Sequence, residues 1–239
     1  MSINKILIHF IKMSVKSSMV SVRVGSSYTS KDGDVLEIDK IVMHESFDKY
    51  VYLNDIALMK LKSPAEFGEK LLPIGLPENE KLQDGTHCVV TGWNRTRYPG
   101  AMTLGERVTP SFFRGEMLLL ELATSLERDF YNEPVPNFQG TSSPSGAQLA
   151  TAAVAIVNQR TCEAMMPSYK PLSEDMLCAN ATRPSERCQG DLGAPLVSEQ
   201  MLIGILSYGL GCETRIHPDV YTRVSSYLSW IFMKTGIFF

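Results

Sequence analysis

Short segments in which apolar and polar residues alternate recur along the chain, and they constrain its fold more than any other feature. The segments are Val20–Val24, Val35–Val42, Ile56–Leu61, Cys88–Trp93 and Met201–Gly209. A period of two is typical of β-strands. Regular short strands separated by turn residues favour an all-β sandwich or barrel. The third strand is predicted to end at Ser63–Pro64.

Two parts of the chain depart from the strand pattern. Near the end, an i, i+3, i+4, i+7 apolar spacing predicts an amphipathic helix that ends near Gly236; its apolar residues are Val224, Tyr227, Leu228 and Ile231. Between about residues 94 and 147 no strand pattern recurs. Here Thr109–Pro110 predicts a helix start, followed by Leu118, Leu122 and Leu126 on one face. This segment is interpreted as a partner-binding helix, a tolerated surface insertion or translated non-coding sequence.

Composition excludes several classes of function. The chain has 239 residues and a formal net charge of −3, so it lacks the basic surface that a nucleic-acid partner needs. The apolar run Ile3–Ile11 is too short for a membrane span and makes no convincing signal peptide. The five cysteines include no C-x-x-C pair, which disfavours a zinc site, and we expect no metal or cofactor. Their wide spacing suits structural disulfides in a secreted protein.

The segment Cys188–Val197 carries the strongest motif. It resembles C-x-G-D-S-G-G-P-L, the nucleophile loop of the chymotrypsin/trypsin family of serine proteases, and departs from it at two positions. Leu192 stands where that family has its serine, and Ala194 stands where it has a glycine. An isobutyl side chain has no hydroxyl to deprotonate and cannot form an acyl-enzyme.

Further segments resemble motifs of the same family in the same order. They are Asn54–Leu58 (N/D-D-I-A-L), Val90–Trp93 (T-G-W), Ser207–Gly209 (S-W-G) and Pro218–Val224 (P-G-V-Y-T-R-V). The resemblance extends from about Val20 to Phe232 and implies two antiparallel β-barrels with a short C-terminal helix. We expect residues 1–75 to form a first barrel that lacks its opening strands. Residues 85–239 are expected to form the second barrel, with the 94–147 segment inserted in it.

The resemblance also implies a catalytic triad. Asp55 matches the aspartate that orients the histidine base. The family's A-A-H-C string is missing, and His9 is the best candidate for the base position because its distance in sequence from Asp55 is close to the family's. Whether His9 occupies that position stays open. Leu192 occupies the nucleophile position, and the backbone amides of Gly190 and Leu192 would form the oxyanion hole.

Activation and substrate selection depart from the family as well. No I-V-G-G string supplies the amino terminus that would pair with Asp191, so we expect this carboxylate to be without a partner. The resemblance places the substrate pocket at Glu186, Arg187, Ser207, Gly209 and Asp219, with Asp219 in place of a wall glycine. Glu186 and Arg187 either fill the pocket floor together with Asp219 or lie in solvent.

The family's disulfides imply the pairs Cys162–Cys178 and Cys188–Cys212. The family partner of Cys88 falls at Ser198, which leaves Cys88 free, either buried or available for an intermolecular bridge. The sequence therefore predicts an extracellular serine protease homologue without catalysis that binds proteins or peptides, such as proteases or their substrates. The alternatives are an active serine endopeptidase whose recorded sequence is defective or truncated, and a non-functional product of a decayed gene.

Overall fold

The structure is a computed structural model, and it describes residues 2–8, 16–77, 82–93, 117–119, 149–182, 191–209 and 217–236. Strands are the main regular element of these residues. The strands are β1 (Ser2–Ile8), β2 (Ser21–Val24), β3 (Asp34–Met43), β4 (Ala57–Glu66), β5 (Pro73–Ile74), β6 (His87–Gly92), β7 (Met117–Leu119), β8 (Ala150–Val157), β9 (Met176–Ala181), β10 (Pro195–Ser198), β11 (Met201–Tyr208) and β12 (Asp219–Arg223). The helices are α1 (Gln159–Met165) and α2 (Leu228–Thr235), with single 3-10 turns at Ser17–Met19 and Val224–Tyr227.

Strands β6 and β8 to β12, together called the second half here, form a closed barrel. Its strand order is β10-β11-β12-β9-β8-β6, and each neighbouring pair is antiparallel. The period-two pattern determines which side chains enter the barrel. In β6, for example, Cys88 and Val90 are buried while His87 and Val89 are exposed. Tyr221 and Leu196 fill the same interior, so the predicted second barrel has a continuous apolar core.

Strands β1 to β5 and β7, together called the first half here, form a second sheet with the order β2-β3-β4-β1-β7-β5. Strand β7 pairs parallel to β1 and antiparallel to β5. The helix predicted around Leu118 is therefore wrong for Met117–Leu119, because pairing with two neighbouring strands satisfies the backbone groups of this apolar tripeptide. Leu122 and Leu126, like Thr109–Pro110, lie outside the described residues.

Strand β4 continues past the proline that was predicted to end it. Its pairing with β1 shifts register between Ile3, opposite Ala65, and Lys5, opposite Lys60. Pro64 lies within this irregularity, and a proline is tolerated in a strand at a bulge, where no ladder hydrogen bond is required of its nitrogen. The strand therefore ends at Glu66 rather than at Ser63.

The C-terminal helix joins the two halves, and its prediction is confirmed apart from its first turn, which is 3-10. The helix ends at Gly236, whose φ of 68° is the left-handed conformation that favours glycine. Tyr227, Trp230 and Ile231 pack against Ile56 of the first half and Ile205 of the second. Within the part of the chain that the structure describes, no helix has the length and apolarity to span a membrane.

Candidate functional site

Asp55 is buried where the two halves meet. Ser207 Oγ donates a hydrogen bond to its Oδ2 at 2.6 Å, and Thr222 Oγ1 donates one to its backbone oxygen at 2.7 Å. Asn54, directly before it, has a φ of 55°, a left-handed conformation that asparagine adopts more readily than most residues. The Asn54 side chain donates to the Ser46 carbonyl and accepts from the Tyr227 hydroxyl, which fixes the turn before β4. The structure thus brings together Asp55 and Ser207, two of the predicted site residues.

Leu192 lies at the tip of a tight turn. The Ala194 amide donates to the Asp191 carbonyl at 2.7 Å, and the Gly193 amide donates to the Leu206 carbonyl at 2.8 Å. Gly193 has a φ of 90°, which a residue with a side chain rarely adopts. Leu206 precedes Ser207, so this turn lies beside the residue that contacts Asp55. The Leu192 side chain is 55% exposed, and the turn therefore presents an apolar group to solvent where the family presents a hydroxyl.

The expectation that Asp191 is without a partner is wrong. Its Oδ2 accepts a hydrogen bond from the Trp93 amide at 2.6 Å. A Cβ on Gly92 would lie 2.9 Å from the same oxygen, so the carboxylate reaches the amide because Gly92 has no side chain. The Trp93 indole in turn donates to the Ser27 carbonyl of the first half at 3.1 Å. This carboxylate therefore links the turn that carries Leu192 to β6.

Gly209 and Asp219, two of the predicted pocket residues, lie close together. A Cβ on Gly209 would lie only 2.5 Å from Asp219 Oδ1, so the Asp219 carboxylate occupies the space that a side chain at 209 would need. Burial raises the pKa of Asp219 to about 6. Tyr221 is fully buried two residues further along β12, and its hydroxyl has no hydrogen-bond partner among the described residues. Asp219 therefore occupies the space beside Gly209, and Tyr221 adds one buried, unsatisfied hydroxyl to the barrel interior.

Several predicted site residues cannot be placed. His9, Glu186, Arg187 and Gly190 lie outside the described residues, as do Cys188 and Cys212. The base position, half of the oxyanion hole, the pocket floor and the second disulfide therefore stay predictions. The disulfide Cys162–Cys178 is present and connects α1 to β9. Cys88 is a buried free thiol, and burial raises its pKa to about 11.

An aromatic pair near the pocket was not anticipated from the sequence. The rings of Tyr52 and Tyr208 lie 5.0 Å apart, and Lys170 Nζ lies over both rings. Burial, followed by the influence of Tyr52, raises the pKa of Tyr208 to about 12. These three residues come from separate parts of the chain, and no local spacing relates them. The one sequence signal for this contact is that Tyr208 directly follows Ser207, a predicted pocket residue.

Comparison with known proteins supports the motif analysis. A family model described as "Trypsin" matches residues 12–116 and 138–231. The chain is 26% identical over 220 residues to trypsin 5G1 of Aedes aegypti, a match that covers 91% of this chain and 66% of that protein. It is 30% identical over 213 residues to the vitellin-degrading protease of Bombyx mori, covering 88% of this chain and 64% of that protein. The chain thus spans about two thirds of the length of these curated relatives.

A solved structure gives the same result for the fold. The mouse brain serine protease neuropsin superposes with a TM-score of 0.67 at 25% sequence identity. The match covers 99% of this chain and 86% of that one. The closed barrel, the second sheet and the short C-terminal helix therefore form a trypsin-like fold.

Proposed function

The chain belongs to the trypsin family of serine proteases, and on that premise we propose that it is a non-catalytic member that binds protein or peptide ligands in extracellular proteolysis. The observation that carries the proposal is Leu192, exposed at the tip of the nucleophile turn. Loss of the nucleophile alone costs about 10⁶-fold in turnover in another serine protease. Leucine at position 192 cannot form a covalent intermediate, but its exposed side chain offers an apolar surface that a ligand can contact.

The surroundings of Leu192 support binding. The Gly193–Leu206 hydrogen bond and the Ser207–Asp55 hydrogen bond fix the turn and the end of β11. The segment Ser207–Gly209 resembles the part of the family that pairs with a polypeptide backbone, and only Gly209 lies beyond the end of β11. A rigid turn beside a strand end is suited to hold an extended peptide without cleaving it. The Cys162–Cys178 disulfide supports an oxidising, extracellular setting.

A fluorophosphonate probe tests the absence of catalysis. We expect no labelling of the folded chain above that of a heat-denatured sample, because no hydroxyl stands at position 192, whereas an active trypsin labels fully in parallel. Stoichiometric labelling in the cleft would overturn the proposal. It would favour the alternative, a serine endopeptidase whose recorded sequence is defective. The retained hydrogen bond between Ser207 and Asp55 is the observation that supports that alternative. Sequencing codon 192 of the transcript separates the two, since a serine codon would exclude the leucine.

Polypeptide binding is tested separately, by following backbone amide resonances. A defined mixture of casein peptides is added to isotope-labelled protein, and the backbone amide resonances of Ser207 and Gly209 are followed. We expect saturable shifts at these residues and none at Asp34, an exposed position on β3. Unchanged resonances at millimolar peptide would contradict polypeptide binding along this segment.

A further inference from the structure

An acceptor motif for glycosylation lies at the end of β9. Asn180, Ala181 and Thr182 form an Asn-x-Thr sequence, which is the acceptor pattern for N-linked glycans in secreted proteins. The pattern is common by chance, so its position in the fold decides whether the protein can carry a glycan there. Another Asn-x-Thr sequence begins at Asn94 and lies outside the described residues.

The Asn180 side chain faces the outside of the closed barrel. Leu177 and Ala179 belong to the core of the barrel, whereas Cys178 packs outside it with Cys162 of α1. Successive side chains of a strand point to opposite faces, so Asn180 lies on the same face as Cys178. Asn180 is half-buried there, one outward position beyond the residue that α1 covers. Attachment of a sugar therefore requires no opening of the barrel.

The other end of the motif lies at the surface. Strand β9 ends at Ala181, and Thr182 follows it as an exposed residue. The amide and the hydroxyl of Thr182 both donate to the Ala153 carbonyl, at 3.0 and 3.1 Å. The motif is thus fixed at the edge of the barrel, where a bulky group can extend into solvent.

Small apolar residues form the outer surface beside Asn180. Ala155 lies directly opposite Asn180 in the pairing of β8 with β9, and Val89 lies opposite Ala153 in the pairing of β6 with β8. Ala153 is exposed, and Val89 is 43% exposed. Val89, Ala153 and Ala155 are here called the alanine face, which His87 borders opposite Ala155. Because the alanine side chains are single methyl groups, they leave room for a sugar ring beside the strand.

The alanine face is a reason for a glycan at this place. Apolar side chains grouped on one sheet face favour association with apolar surfaces of other molecules. A glycan is bulky and strongly solvated, and one attached to Asn180 starts directly opposite Ala155. It would therefore keep Val89 and Ala153 apart from such surfaces.

We propose that Asn180 is an N-glycosylation site and that its glycan covers the alanine face. In the transfer, the Asn180 carboxamide nitrogen forms a bond to the anomeric carbon of the first sugar and loses one proton. The polyprenyl pyrophosphate that carried the oligosaccharide leaves. The proposal shares only the secretory route with the proposed function, and it depends neither on Leu192 nor on peptide binding.

Occupancy of Asn180 is tested by peptide mass spectrometry. The full chain with Asn94→Gln is expressed behind a cleavable secretory leader in a eukaryotic cell line, and only chain from which the leader has been removed is counted. Peptide-N-glycosidase in heavy-oxygen water converts a glycosylated asparagine into labelled aspartate. We expect label at position 180 in this chain and in Thr182→Ser, and a complete loss of label in Thr182→Val. An unlabelled Asn180, or label that persists in Thr182→Val, would overturn the proposal.

Covering of the alanine face is tested by light scattering over a range of protein concentrations. Asn180→Gln should self-associate at a severalfold lower concentration than the glycosylated chain, and adding Val89→Ser should reverse this effect. Val35→Ser is the matched control and should not reverse it, because Val35 is an exposed valine on β3 of the other sheet. Equal self-association with and without the glycan would contradict the covering role. Failure of the casein-peptide experiment alone would contradict the proposed function and leave both of these results intact.

Discussion

At the scale of single residues, Asp219 couples protonation to folding. Burial raises its pKa from an ordinary 3.8 to about 6. The folded chain therefore binds this proton more tightly than the unfolded chain. Stability from this group is greatest below about pH 4, falls as the pH rises towards 6, and stays low above that. A rise from 3.8 to about 6 corresponds to a cost on the order of 3 kcal/mol at neutral pH.

Asp219→Asn should remove this pH dependence. The amide keeps the size of the carboxyl group and cannot ionise, so we expect the free energy of unfolding at pH 7.5 to rise by about 1–3 kcal/mol, with little change at pH 4. Urea unfolding at the two pH values measures the difference. Asp34→Asn is the control, because that side chain is exposed. Equal stability of Asp219→Asn and the unmodified chain at pH 7.5 would show that this partly buried carboxylate is not costly.

Residues that carry a motif could be predicted from the sequence, and residues defined by distant contacts could not. The motifs placed Asp55 and Ser207 in one site, and their hydrogen bond agrees with that placement. The hydrogen bond from the Trp93 amide to Asp191 was missed because its donor is a backbone group, which any residue at position 93 except proline would supply. Tyr52 and Lys170 were missed because their contact depends on how two loops fold against β11.

At the scale of elements, β6 and β10 meet at a position where a disulfide is absent. Their register pairs Val90 with Leu196 and Val89 with Val197, which places Cys88 opposite Ser198. The thiol is buried and its pKa is raised to about 11, so it is a poor nucleophile at neutral pH. The structure thus supports the alternative in which Cys88 is buried rather than available to another chain.

Ser198→Cys should form a bridge with Cys88. A disulfide that closes so long a loop stabilises by about 2–4 kcal/mol, against which the lost hydrogen bond from Ser198 to the His87 carbonyl costs about 1 kcal/mol. We expect a higher melting temperature for the oxidised variant than for the same variant after reduction. Ser198→Ala reports the hydrogen bond alone. If thiol titration finds Cys88 still free after oxidation, the inferred register is incorrect.

Element types followed from periodicity, while their ends depended on tertiary pairing. The alternation in β6 and β11 predicted both strands to within one residue. Strand β4 extends beyond its predicted end at Ser63–Pro64 because β1 also pairs with Ala65 and Glu66. Strand β7 exists because β1 and β5 lie on either side of it, and a leucine-rich tripeptide contains no signal that distinguishes this from a helix turn.

At the scale of the whole molecule, the two halves differ in closure. In the closed barrel every strand has two neighbours, whereas β2 and β5 are the ends of the other sheet in the described strand order. Terminal strands have backbone groups that no neighbouring strand covers, so they open more readily. The shared core around Trp230 and Ile205 nevertheless couples the halves through α2.

Native-state hydrogen exchange should resolve this difference. We expect amides of β2 to exchange at least tenfold faster than those of β11 and β12, because local opening of a terminal strand does not require the closed barrel to open. Amide exchange measured by NMR at several low denaturant concentrations checks this. Equal protection across both halves would show that the chain opens only as one cooperative unit.

The position of Asp55 determines how this chain can be used as a control. In an assay of a protease, replacing the triad aspartate is a simple way to prepare an inactive reference. Here the Asp55 carboxylate accepts a hydrogen bond from the buried Ser207 hydroxyl, and the Asp55 backbone oxygen accepts one from Thr222. A substitution of Asp55 therefore disturbs the contact between the two halves. A loss of ligand binding after Asp55→Ala would therefore reflect altered packing between the halves as much as the loss of the Asp55 side chain from the site. Position 192, on an exposed turn, is the better place for such a reference.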